Sequence, residues 1–267
     1  MRIDVATLQQ FYASRLGGVA RVAAARRLKP LWDDCAGLDV LGIGYATPFL
    51  PMWRPAARRV IAFMPAGQGA ERWPADGPAA TVLGDEARMP FADAVFDRVL
   101  LVHALEESEA PRILLREVWR TMAPEGRLVV IAPNRAGLWA RADATPFGHG
   151  RPFSRRQLSR LLSDAMFEPM ASAVALHAPP LDWAPLVALA NTFERVGETL
   201  RAPFGGLVMM EAVKRLTAAP AKESRKSVAT MAPARAAPHL HDAAASVSWG
   251  HEADHGHHQA EPPRPGS

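Results

Sequence analysis

Gly84-Asp85-Glu86-Ala87-Arg88-Met89-Pro90-Phe91, followed closely by Val95-Phe96-Asp97-Arg98-Val99-Leu100-Leu101-Val102-His103-Ala104-Leu105-Glu106, is the stretch whose reading decides the fold. Val99 to Val102 is a short, unbroken apolar run. Such a run fits a strand covered on both faces, because successive side chains point to opposite sides of a sheet. In an open α/β sheet the carboxyl ends of strands border the ligand crevice. His103 and Glu106 are therefore expected at the crevice mouth, and Asp85 at the end of the preceding strand.

Working outward, the same signature repeats. Leu38 to Ile43 is the first strand candidate, ended by Gly44, and Arg59 to Met64 is the second, stopped by Pro65. Ala80 to Leu83 is the third, Phe96 to Val102 the fourth and Arg127 to Ala132 the fifth. Between the last two, Pro111 to Met122 has helical apolar spacing through Leu114, Leu115, Val118 and Met122. Ser154 with Gln157 three residues later forms a capping-box pattern that starts another helix. Late strands are expected over 168–176 and 206–214, around a helix over 183–200. Residues 7–29 read as one or two helices broken at Gly17-Gly18. Strands alternating with helices imply a parallel sheet with helices on both faces.

Composition bounds what surrounds this sheet. The 267 residues carry a net charge of +4 and a single cysteine, Cys35, so no intrachain disulfide and no paired-cysteine metal site is expected. No uncharged apolar run approaches the ~18–20 residues of a membrane span, and the amino terminus lacks a secretory-signal layout, so a cytoplasmic location is expected. Basic residues concentrate before residue 31 and between Ala132 and Arg160. From Ala218 onward Ala, Pro, Ser, Gly and His dominate, and a disordered tail is expected. Its opposite charges cancel, which argues against a nucleic-acid arm, and its histidines have no preformed geometry for a metal.

The run GDEARMPFADAVFDRVLLVHALEESEAPRILLREVWRTMAPEGRLVVIAPN, Gly84 to Asn134, is similar over its whole length to the type 11 family of class I S-adenosylmethionine (SAM) methyltransferases, typified by ubiquinone- and menaquinone-biosynthesis enzymes. The resemblance covers Val40 to about Phe167. It implies a Rossmann-like, seven-stranded, mostly parallel sheet over residues 37–217, N-terminal helices over 1–36 that cover the cofactor site, and SAM as cofactor. It also implies cofactor contacts from the first-strand turn Gly42-Ile43-Gly44-Tyr45-Ala46, from Met64, from Gly84-Asp85-Glu86-Ala87, and from Val102 and His103. Asp85 would accept from the adenine amino group. The pattern departs at three positions: Gly42 stands where the family carries an acid, Pro48 where it carries glycine, and Met64 where an acid accepts from the ribose. Gln68 is a candidate substitute.

His103 is a candidate general base, or a residue that lines the cofactor. After the fifth strand, Trp139, Phe147 and Phe153 offer apolar planes while Arg141, His149 and Arg151 offer donors, the composition of a pocket for a small acceptor, anionic if the arginines recognise it. The expected activity is methyl transfer from SAM to a small or medium-sized molecule. The alternative is a protein of the same fold that binds a ligand or partner without turnover. A dinucleotide dehydrogenase fits less well, because the first turn lacks the full Gly-x-Gly-x-x-Gly.

Overall fold

The computed structural model describes residues 2–32, 34–216 and 229–230. Two helices, α1 (Val5–Ala13) and α2 (Arg15–Leu28), precede β1 (Asp39–Gly44), β2 (Arg59–Pro65), β3 (Thr81–Gly84) and β4 (Phe96–Val102). Then come α3 (Pro111–Thr121), β5 (Met122–Pro133), α4 (Arg155–Asp164), β6 (Phe167–Ala175), α5 (Ala184–Ala188), α6 (Ala190–Thr199) and β7 (Leu207–Lys214). A two-residue β8 (Ala229–Thr230) pairs with β6 in parallel. The sheet order is β3-β2-β1-β4-β5-β7-β6-β8. Strands β1 to β5 are parallel, and β7 runs antiparallel to both β5 and β6. The order reverses between β1 and β4, the switch point at which α/β sheets bind ligands.

The unbroken apolar runs are explained by coverage of both faces. Val40, Leu100, Val102, Val129 and Ile131 pack on one side with Ala20, Ala23 and Leu28 of α2. Their chain neighbours Leu41, Val99, Leu101, Leu128 and Val130 pack on the other with Leu114 and Val118 of α3 and Leu158 and Leu162 of α4. No helix among the described residues is long and apolar enough to cross a membrane. Cys35 is a buried free thiol.

Several expected boundaries move. The break between the first two helices falls at Ser14 and not at Gly17-Gly18, because the Ser14 hydroxyl accepts from Gly17 N at 3.1 Å and donates to Phe11 O at 2.6 Å. That one side chain closes α1 and caps α2. Strand β5 starts five residues earlier than its apolar run, since Met122 pairs with Phe96. The helix expected over 183–200 is two pieces that meet at Leu189. The Ser154 capping box forms as read. Of the segment expected to be disordered, Ala229–Thr230 form β8; the remainder, with its histidines, lies outside the described residues.

Candidate functional site

The crevice lies at the carboxyl ends of β1 to β4. Gly44 holds φ +79°, and a Cβ there would lie 2.2 Å from Val102 O, so only glycine lets β1 turn this close to β4. Tyr45 N then donates to Val102 O at 2.8 Å. Gly42 is equally confined: a Cβ would meet the Ala46 Cβ at 2.7 Å and Leu50 at 2.9 Å. The backbone at residue 42 has no room for the acid that the family pattern carries there.

His103 departs from expectation. It ends β4 as read, but at φ +48° and with no solvent exposure, so it is a sealed residue and not one at the mouth. Its Nε2 is 3.0 Å from the Tyr12 hydroxyl of α1, and its ring stacks 4.9 Å from Phe147. Burial holds the imidazole down at about 3, so it is neutral. Glu106 is 3.6 Å from His103 Nδ1, too far for a hydrogen bond, and burial together with the Glu107 charge pushes it up to about 8. Two neutral groups do not make an ion pair. Glu107, also raised by burial, sits at about 7.

Met64 is buried where β2 ends, and its sulfur accepts from Glu71 N at 3.3 Å. The Glu71 carboxylate receives Thr47 Oγ1, Tyr45 OH and the Gln9 amide of α1. Tyr12 and Tyr45 stack at 5.5 Å, and Leu8 packs on Tyr45 and Met64. Helix α1 is therefore the roof of this half of the crevice. The other half holds a cavity of about 290 Å³ lined by Arg2, Pro65, Gly67, Asp85, Glu86 and Glu107, among others. Asp85 Oδ1 accepts from Ala87 N at 2.8 Å, and Glu86 pairs with Arg2 and accepts from Ser108 Oγ.

Five buried polar atoms around the crevice have no hydrogen-bond partner: Arg2 Nη1, Gln68 Oε1, His103 Nδ1, Glu106 Oε2 and Glu107 Oε1. Buried polar atoms are nearly always satisfied, so such a cluster is a candidate ligand-binding site. Of these residues, Arg2 and Glu107 were not singled out from sequence, nor were Tyr12 and Glu71. Paired acids directly after a buried strand are a local signal that points to Glu107; the others arrive from distant segments.

The expected acceptor residues do not form one pocket. Trp139 is core, with Nε1 donating to Ala178 O at 2.7 Å, and Phe147 is buried against His103. Arg141 is exposed. His149 lines a cavity of about 430 Å³ between α1 and the loop after β5, and its Nε2 lies 3.0 Å from Asp143 O. Arg151 lines a different cavity, of about 400 Å³.

Residues 38–130 match a family model described as a methyltransferase domain. Among solved structures, a SAM-dependent methyltransferase from Thermotoga maritima, described as a possible histamine N-methyltransferase, is 17% identical, with 79% of this chain and 96% of that chain covered at a TM-score of 0.55. A putative methyltransferase from Haloferax volcanii, solved with its methyltransferase activator, is 18% identical, with 77% and 96% covered and a TM-score of 0.55. No curated protein matches the chain. The structural likenesses establish the fold, and the domain match lies across β1 to β5, the strands that build the crevice. The chain thus has the fold of the class I SAM-dependent methyltransferases and carries, over residues 38–130, a segment that matches a methyltransferase domain.

Proposed function

We propose that the chain transfers the methyl group of SAM to a small anionic acceptor. The observation that carries this reading is a separation of charge across the loop between β4 and α3. On one side, the 290 Å³ cavity is lined by Asp85, Glu86, Glu107 and Glu109 against the single cation Arg2. On the other, the 400 Å³ cavity is lined by Arg112, Arg135 and Arg151 over Ile113, Phe153 and Leu161, with no carboxylate in the lining. A sulfonium cofactor suits the first and an anion with an apolar body suits the second. Arginine's planar fork suits carboxylate or phosphate. Of the three, Arg112 alone has an acidic partner among the described residues, Asp164 at 3.4 Å. Arg151 pairs with neither Asp143 nor Asp164; its backbone N–H is bonded to Glu106 O at 2.9 Å, which ties this cavity to the crevice.

The residues present fit SAM. The unpartnered oxygens Gln68 Oε1, Glu106 Oε2 and Glu107 Oε1 match a ligand rich in hydrogen-bond donors. The cavity beside Asp85 and Glu86 has the size of the smallest ligand pockets, about 300 Å³, and accommodates the adenosyl portion. The methionine portion lies under α1, whose covering role we assign to the N-terminal helices. SAM supplies an already activated methyl group, so the protein's task is positioning and exclusion of water. Glu107, at about 7, is suited to hold a proton from the acceptor near neutral pH. His103, sealed and at about 3, orients Tyr12 and Phe147.

The test is calorimetric titration with SAM, S-adenosylhomocysteine (SAH) and phenyl phosphate, on the wild type and on Arg151→Ala. Expected are SAH binding in both proteins and phenyl phosphate binding in the wild type only. Equal loss of both ligands in the variant, with a lower melting temperature, refutes acceptor recognition by Arg151. SAH binding without methyl transfer to any anionic acceptor favours the non-catalytic alternative.

A further inference from the structure

Gln68 and Glu71 lie in the loop that follows β2; the sequence pointed to Gln68 as a candidate ribose acceptor and did not point to Glu71. Gln68 is 1% exposed; its Nε2 donates to His103 O at 3.1 Å, which fixes the amide plane. Its carbonyl, Oε1, is left buried with no donor. Glu71 is anchored on the β1 turn through Thr47 Oγ1 and Tyr45 OH, and its backbone N–H reaches the Met64 sulfur. Every donor on its carboxylate is neutral, and no ion pair forms to it among the described residues. A carboxylate with only neutral partners thus stands over the β1 turn, at the end of strands whose own Gly42 and Met64 carry no charge.

Resting on the methyltransferase reading above, we propose that this pair recognises SAM: the Glu71 carboxylate takes the methionine ammonium, and the Gln68 carbonyl accepts from the ribose hydroxyls. A cationic donor makes a stronger bond to a carboxylate than a neutral amide does. The ammonium therefore displaces Gln9, the one Glu71 partner contributed by α1. The donor-poor Gln68 carbonyl gains the partner it lacks.

The experiment compares two ligands by calorimetry: SAH, and 5′-methylthioadenosine, which keeps the ribose and adenine but has no ammonium. Glu71→Gln, which preserves shape and removes charge, should weaken SAH by about tenfold or more while moving methylthioadenosine by less than about twofold. Gln68→Leu should weaken both by about fivefold or more. A purely structural role for Glu71 predicts equal weakening of both ligands, and that result overturns the proposal, as does unchanged SAH affinity. If Glu71→Gln lowers the melting temperature, Glu71→Asp keeps the charge and must restore the preference for SAH; failure to do so is also a refutation. A wild-type protein that binds neither ligand refutes the methyltransferase reading itself, a result distinct from all of these.

Discussion

Replacing Glu106 by glutamine should leave stability nearly unchanged in mild acid and raise it above neutral pH. In the folded chain burial and the neighbouring Glu107 raise this carboxyl from 4.5 to about 8. Below about pH 4.5 folded and unfolded chains both hold the proton. Between 4.5 and 8 the unfolded chain releases it while the folded chain keeps it, so stability falls as pH rises and the loss is complete above about 8. A shift of that size corresponds to an upper limit of about 5 kcal/mol. Since the two acids titrate as a pair, a few kcal/mol is the realistic expectation. Glutamine keeps the shape and cannot ionise. Urea unfolding of wild type and Glu106→Gln at pH 5 and pH 8 measures the difference directly: near-equal stability at pH 5, and a variant more stable by roughly 2–4 kcal/mol at pH 8. Parallel pH profiles, or a wild type that gains on the variant as pH rises, would refute the assignment of a buried neutral Glu106.

Asp85→Ala should weaken SAH by about 1–3 kcal/mol without a change in melting temperature, since the acid projects into the cavity and makes only a local bond to Ala87 N; unchanged calorimetric affinity removes Asp85 from the site. Gly44→Ala should destabilise by about 3 kcal/mol or more, because its Cβ collides with the Val102 carbonyl at a φ of +79°; denaturation at wild-type urea concentrations would contradict that close approach. Lys214→Met should cost about 2–4 kcal/mol, as Nζ donates to Trp119 O at 2.7 Å and Met122 O at 2.6 Å where α3 gives way to β5. A melting temperature within 2 °C of wild type would show those carbonyls to be satisfied by water instead.

The sheet was legible because its strands announce themselves. Val99 to Val102 cannot be amphipathic, so both faces must be covered, and β4 occupies the residues read for it. The crevice was legible as far as it is built from strand ends: Gly44, Tyr45, Asp85, Glu86 and His103 all come to the carboxyl edge. What failed was exposure. Nothing in the local sequence of His103 says that Tyr12, ninety-one residues earlier, will close over it. The acceptor residues failed for a related reason. Trp139, His149 and Arg151 share one loop, but successive turns of that loop face the core, α1 and α4 separately. Glu71 was illegible because its position depends on tertiary bonds to Thr47 and Tyr45 and on no periodicity of its own.

The roof made by α1 has a consequence for rates. Met64 and His103 have no solvent exposure, so a ligand that touches either must wait for Leu8, Gln9 and Tyr12 to leave. A helix that opens to admit the ligand and then closes over it caps the association rate at its own opening rate. Substitutions that loosen the helix without touching the ligand then raise that ceiling. Tyr12→Phe, which deletes only the hydroxyl that holds His103, is the smallest such change. In stopped flow the wild-type binding rate should level off at high SAH at the opening rate of the helix, and that ceiling should rise in Tyr12→Phe. The rate at which this crevice fills is thus set partly by α1, Val5–Ala13, and the sequence of that helix can tune filling without altering a single group beneath it.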